Sequence, residues 1–544
     1  MRIERNNLLA GCLFLIGLVA YAPPAAPQSL VVNSDPWQQR QEAGVAIPFR
    51  VVNGEIRLTL QEAIQFALQN NLDLSVSKIS KEQSRLDYAA ADTLYDYGLI
   101  SSVSGAQNSV PTIDGLPVGL VSRSNNQNFR FGISRLLPTG GSLSLDFSNS
   151  RATTNYPLAT VNPTYNANLG LTFSQPLLAG RGRKTTEAGL EVARLNTAIS
   201  DESFELSVIN TVTQAIDAYW SLVGAVEQLK VARQGLEQGK QLYEQSRLKV
   251  EGGLIPPLEL VQSEFGVATR KEAVIVAQAN VDNQADALRQ LFSVRSRSYW
   301  NMPINPETRP ELPADIAGMP KDLDRMVDLA LKNRPEMRQQ QLAQDILELN
   351  AYVSDQAIKP QLDLVVGYDL SGVGGTVIER DPVDGNVLSR TGGAEGALRQ
   401  IINRDFYGWS VGLNFSYTLG NDAARARRDR SRLAVEQGQL QTEGLEVRIL
   451  GEVHRAFRSL ETARQALKSA QLSTSLAERN LEAEQLRFEN GRSTSFRLVD
   501  IQTDLNNARS REVTAVTTYW QASAEVHRAT GRLLEEMGIE IVDD

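Results

Sequence analysis

The only two histidines, His454 and His527, stand in two similar Glu-Val-His-Arg-Ala segments and are the first residues whose type suits metal or acid–base chemistry. Neither has metal-ligand spacing around it, so both read as positions on long helices. Gly180-Arg181-Gly182-Arg183-Lys184-Thr185 has the outline of a phosphate loop, yet Arg183 stands where that motif needs a glycine directly before the lysine. It reads instead as a basic strand-to-helix corner. The Gly-rich stretch 371–396 lacks the following helix that a nucleotide site requires, and is expected as an external loop between two strands. Cys12 is the single cysteine, which leaves no disulfide and no thiolate chemistry. No catalytic, cofactor or metal site is expected, and the chain does not read as an enzyme.

With chemistry set aside, the elements carry the argument. A net charge of −9 over 544 residues, with no charged tail, argues against a nucleic-acid partner. Met1-Arg2-Ile3-Glu4-Arg5, an apolar run from Leu8 to Ala22 and the proline-rich Pro23–Pro27 form an export-signal pattern. Leu9-Ala10-Gly11-Cys12 matches a lipoprotein box, but the main apolar run follows Cys12, which is therefore read as part of the discarded peptide. No later stretch is apolar for long enough to be a transmembrane helix.

Residues 58–105 reappear as 321–368, with Ala67-Leu68-Gln69-Asn70 falling on Ala330-Leu331-Lys332-Asn333. Leu222, Leu229, Leu236, Tyr243 and Val250 fall on Leu460, Leu467, Thr474, Leu481 and Phe488, and Glu251-Gly252-Gly253 falls on Glu489-Asn490-Gly491. Two copies of roughly 240 residues are too long for solenoid units. They imply one architecture built from similar halves, with function in what the halves enclose.

Each copy reads as helix, strand, loop, strand, long helix, tight turn and returning helix. Heptads such as Leu433, Leu440, Val447 and Val453, Leu460, Leu467 predict coiled-coil packing. A helix from near Glu187 to Glu251 would reach on the order of 100 Å. The turns fall at Gly252-Gly253-Leu254-Ile255-Pro256-Pro257 and at Asn490-Gly491-Arg492-Ser493-Thr494. Leu169, Leu171 and Phe173, and Val411, Leu413, Phe415 and Tyr417, alternate with small or polar residues. Their earlier partners are Leu99–Gly105 and Leu362–Asp369, and a further alternating hairpin covers 129–149. Apolar-out alternation of this length suits an outer-membrane β-barrel, with Tyr165, Phe406, Tyr407 and Trp409 at its interfaces; a soluble half-buried sheet fits the alternation equally well. Four strands per chain, or six with the hairpin, fall short of a closed membrane barrel, so in the membrane reading the barrel is shared between chains.

Over about residues 56–534 the chain resembles the TolC-type outer-membrane efflux proteins. The carrying segments are Leu58-Thr59-Leu60-Gln61-Glu62-Ala63 with Ala67–Asn71, the strand-to-helix passages 169–184 and 411–428, and the two turns. The resemblance implies a mixed, mainly α fold: a duplicated repeat forming a long α-helical barrel of coiled-coil hairpins, joined to an outer-membrane β-barrel shared by three chains. The implied barrel has 12 strands (3 × 4); the 129–149 hairpin is then expected as an extracellular addition, the alternative being that it spans and gives 18 strands (3 × 6). The implied boundaries are 1–26 signal peptide, 27–57 extension, 58–292 first efflux repeat, 293–320 proline-rich strap, 321–534 second repeat and 535–544 tail.

The implied function is the channel-tunnel of a tripartite efflux or type I secretion system in a Gram-negative-type outer membrane. Its partners are two further copies, a periplasmic adaptor, an inner-membrane RND or ABC pump, and lipid. The family closes its tunnel with acidic residues six and nine positions after the second turn glycine. Counted from Gly491 these positions hold Arg497 and Asp500, with Asp504 one turn later; in the first copy they hold Glu259 and Gln262. Asp500 matches and Arg497 does not, so Arg497 is expected to pair with Asp500 and lock neighbouring helices. The tips Gly252, Gly253, Leu254 and Asn490, Gly491, Arg492 are the implied adaptor dock. A periplasmic adaptor would instead show one hairpin flanked by compact β-domains, and a structural coiled-coil envelope protein would leave the strands unused.

Overall fold

The computed structural model describes residues 49–111, 121–156, 159–308, 322–380, 387–390 and 392–541. The signal segment with Cys12, the extension up to residue 48, residues 309–320 of the strap and residue 321 lie outside them. The chain divides after Val51 into two units, of which the second holds the long helices and the large sheet. Its strands are β2 (Glu55–Leu58), β3 (Gly98–Pro111), β4 (Val121–Leu136), β5 (Ser142–Thr154), β6 (Val161–Pro176), β7 (Ile304–Pro306), β8 (Gln361–Arg380), β9 (Val387–Arg390) and β10 (Phe406–Ser416), after β1 (Arg50–Val52). Its principal helices are α1 (Leu60–Asn70), α2 (Leu72–Asp92), α3 (Ala188–Glu251), α4 (Pro257–Leu291), α5 (Leu323–Asn333), α6 (Pro335–Gln356), α7 (Ala394–Asn403), α8 (Asp422–Glu489) and α9 (Ser495–Ala529).

The duplicated segments open in the same way for different local reasons. Thr59 and Glu62 form a reciprocal capping box at α1, with Glu62 accepting from the Thr59 amide at 2.7 Å. Asn71 then breaks the helix: its side-chain Oδ1 accepts the Leu74 amide at 2.9 Å and its Nδ2 donates to Leu291 O at 3.1 Å. Arg334 holds the corresponding break in the second copy, before Pro335 at the first turn of α6.

Runs without proline then permit helices of 64 residues in α3 and 68 in α8, each followed by a 35-residue return. Val453, Leu460 and Leu467 are buried against Val516, Tyr519 and Val526 of α9. Leu433, Leu440 and Val447 differ from that expectation: all three are exposed, and Leu445 and Ile449 fill the core beside them. At 3.6 residues per turn a strict heptad drifts around a straight helix, so one column cannot stay buried against a single neighbour. Midway along the helices Trp220 stacks on Trp520 at 5.4 Å and 3°, and Tyr219 and Tyr519 meet the pair edge-on.

Two expected loops contain regular structure. Within the strap, Arg297–Trp300 forms a helical turn and β7 pairs in parallel with β2. Tyr219 Oη ties this small sheet to α3 by donating to Leu58 O at 3.1 Å. The stretch 371–396 is not a plain external loop, because β8 runs to Arg380 and α7 begins at Ala394. Ala397 and Ile401 of α7 pack on Ala167, Leu169 and Leu370. Gly372 and Gly374 make that approach possible: a Cβ on either would collide with Ala397 or Gly393 backbone.

The large sheet is antiparallel throughout, in the order β10-β8-β6-β5-β4-β3, with β9 paired to β8. The 129–149 hairpin lies within this sheet. It forms β4 and β5, inserted between β3 and β6 over nearly their full lengths. Alternation places Tyr407 and Trp409 on the apolar face, whereas Phe406 projects from the other face of β10.

Candidate functional site: the two hairpin tips

Both tips end their incoming helix with the same capping motif. Leu254 N donates to Lys249 O at 2.8 Å and Gly253 N to Val250 O at 2.9 Å; Arg492 N donates to Arg487 O at 2.8 Å and Gly491 N to Phe488 O at 3.2 Å. The glycines carry φ of +70° and +69°, a region that L side chains avoid. Gly252, Leu254, Asn490 and Arg492 are all exposed. Thr494 Oγ1 then accepts the Arg497 amide, while Pro256 precedes the first turn of α4.

Inside one chain the tips are clasped together. Ser246 Oγ and Ser495 Oγ lie 3.2 Å apart and are fully buried. Lys249 Nζ donates to Phe488 O at 3.2 Å and sits 3.8 Å from that ring's centre. Leu242, Leu481, Phe488, Leu498, Ile501 and Leu505 fill the space between.

The sequence candidates separate on this frame. Glu259 accepts the Ser495 amide at 2.8 Å, which places its carboxylate at the N-terminus of α9. Gln262 is half-buried on α4. Arg497 pairs with Asp500 at 3.2 Å, both side chains more than half exposed. That pair lies within α9, so in the single chain it does not bridge neighbouring helices as expected. The i,i+3 spacing brings the two side chains together on one helix face. Asp504 is exposed one turn on.

Two groups at the tips escape a reading of the sequence. Glu484 is buried, accepts the Ser493 hydroxyl and lies 3.2 Å from Arg487; the hydroxyl first and then the guanidinium hold its carboxyl below the usual range. Arg270 is buried where Gly239 and Gly266 make room for it, donating to Val499 O and Gln502 Oε1. Burial pushes its guanidinium below the ordinary value. A glycine in each of two facing helices is the sole sequence signal, and it reads equally well as a helix weakness.

Elsewhere the chemistry stays bland. Burial lowers the His527 imidazole. Arg183 pairs with Glu187 at 2.7 Å and Lys184 lies over the Tyr352 ring. Among the described residues no cluster of three or more His, Cys, Asp or Glu is placed to hold a metal ion, and no helix is long and apolar enough to cross a membrane.

Two helical hairpins rather than one set the periplasmic-adaptor reading aside, and the seven-strand sheet does the same for a purely coiled-coil protein. Comparison with known proteins agrees. Residues 128–293 and 326–532, well over half of the chain, match the outer membrane efflux protein family. The outer-membrane channel OprN shares the fold at TM-score 0.63 and 16% identity, covering 87% of this chain and 89% of that one. CusC, described with transmembrane channel formation, gives 0.63, 15%, 87% and 92%. The Campylobacter jejuni CmeC outer membrane channel gives 0.61, 17%, 87% and 86%. No curated protein matches the chain. Members of the matched family are channels rather than enzymes, and the chain belongs to the outer membrane efflux protein family.

Proposed function

We propose that three copies of this chain form an outer-membrane channel-tunnel that conducts substrate passively from periplasm to exterior, after docking with a periplasmic adaptor and an inner-membrane RND or ABC pump. One observation carries this reading. The large sheet presents an exposed apolar face, with Leu99, Trp409, Val411, Leu413 and Phe415 each more than 60% exposed, while among the described residues β3 and β10 each pair on one side only. An apolar face suits lipid, but unpaired N–H and C=O groups at a sheet edge do not. Closure by further copies satisfies both, and exposed Leu433, Leu440 and Val447 offer the matching helical seam.

The exposed turns at Gly252–Leu254 and Asn490–Arg492 are the adaptor dock in this proposal, and Asp500 with Asp504 lines the periplasmic constriction. Glu259 acts there as a brace between the tips, and Gln262 stands beside it. The two efflux repeats, 58–292 and 321–534, supply equivalent staves of the tunnel. Purified protein added to planar bilayers is expected to conduct in uniform discrete steps. A protein that inserts and never conducts would contradict the proposal.

A further inference from the structure

The chain places six strands, not four, in one continuous wall. Across the sheet the register aligns Leu99, Ile133, Leu145, Leu171, Tyr368 and Trp409 in a single row. The neighbouring row on the other face is Ile100, Gly132, Asp146, Gly170, Asp369 and Gly408. The hairpin residues Ile133 and Leu145 thus stand at the same height as the apolar residues of the duplicated strands. Leu143 and Leu145 of β5 are 41% exposed, against 42% for Leu171 and 41% for Tyr368. A hairpin riding above the membrane would let β3 and β6 pair directly below it. Instead β4 pairs with β3 from Gly98↔Ser134 to Pro111↔Val121, and β5 with β6 from Ser142↔Ser174 to Ala152↔Thr164.

The ends of the hairpin carry the same message. Its turn is short, with Leu137 N donating to Gly141 O at 2.7 Å. That turn is fastened to the strand-to-helix corner: Gln175 Nε2 donates to Thr139 O at 3.1 Å and Gly182 N donates to Thr139 O at 3.0 Å. The corner leads into α3, so the hairpin turn lies at the end of the sheet from which the long helices leave. Short turns on the periplasmic side and longer connections outside are what membrane barrels show. On the polar face Arg130 and Asp146 join β4 to β5 at 2.7 Å, a pair suited to a water-filled lumen.

Resting on the outer-membrane trimer proposed above, we infer that each chain gives six strands to the barrel, which closes at 18 strands with β10 of one copy against β3 of the next. The direction of the strands permits this closure. Five successive antiparallel pairings leave β3 and β10 running oppositely, so the new contact is antiparallel as well. The exit is then about half as wide again as a barrel made from the duplicated strands alone.

Inter-chain spin-label distances test this with the folded trimer. Thr172 of β6 and Ser410 of β10 share a row on the polar face and belong to the wall on either count. With strands about 4.8 Å apart and tilted about 40°, 18 strands place equivalent backbone positions about 30 Å apart, and 12 strands about 20 Å. Thr172→Cys and Ser410→Cys, each labelled in a Cys12→Ser background, are both expected near the larger value. A trimer giving about 20 Å at both sites would overturn the inference and leave the channel reading standing. A wild-type protein with one chain per particle in detergent would overturn both.

Discussion

Arg334→Ala is expected to cost about 3–5 kcal/mol of stability, the range found when one partner of a buried ion network is removed. The Arg334 side chain is 6% exposed and spans two carboxylates, Glu336 Oε1 and Glu452 Oε2, each at 2.6 Å. Burial, the largest single influence, would raise the Glu336 carboxyl, but the hydrogen bond from Arg334, a backbone hydrogen bond and the charges of Arg334 and Arg528 together hold that group below its ordinary value. Removing the guanidinium leaves the Glu336 and Glu452 carboxylates without their shared partner, with the Arg528 charge still acting on both. In the native protein the depressed carboxyl adds stability above its unfolded value, and that stability is lost as pH falls through the folded value. In Arg334→Ala the Glu336 carboxyl loses the partner that held it down and burial raises it, so the deficit shrinks as pH falls toward the ordinary carboxylate range. Denaturant midpoints at neutral and mildly acid pH check this. Arg334→Lys is expected to recover less than half of the loss, because an ammonium cannot bond both oxygens of Glu336 and also reach Glu452. A loss of equal size at every pH would remove the ion network as the cause.

Asp500→Ala is expected to weaken block of the channel by divalent cations about tenfold or more, without loss of the trimer. One exposed ion pair contributes about 0–1 kcal/mol to a fold, and the Arg497–Asp500 pair is exposed on both sides. Three such pairs around a narrow axis act on an ion together. In the ring proposed above Arg497 would partly offset Asp500, and without the aspartates that ring would turn cationic. Arg497→Ala is expected to move block in the opposite direction. Raising the salt concentration flattens both effects. Unchanged block in both variants would move the constriction elsewhere along α4 and α9.

Much of this fold is legible in the sequence because it is carried by periodicity and punctuation. Proline-free runs set the lengths of α3 and α8, and Gly253 and Gly491 mark the tips where positive φ is needed. The misread parts depend on partners distant in sequence. Alternation in 129–149 announces two strands, but only their register against β3 and β6 joins them to the same sheet as the duplicated strands. Leu433, Leu440 and Val447 match the heptad as well as Val453 does, yet burial depends on which neighbour lies opposite. Asn71 and Arg334 occupy equivalent breaks through different chemistry, one by capping and one by an ion network, so the duplication shows the position and not the means. Glu259 counts among gate residues only by its distance from a glycine; its contact with the Ser495 amide lies across a hairpin pair that no spacing reveals.

The central claim is that this sheet closes only with further copies and that its apolar face meets lipid. Light scattering of the purified protein in detergent tests both parts at once. Three chains per particle, with precipitation when detergent is withdrawn, is the expected result. A stable single chain in detergent-free buffer would contradict the account.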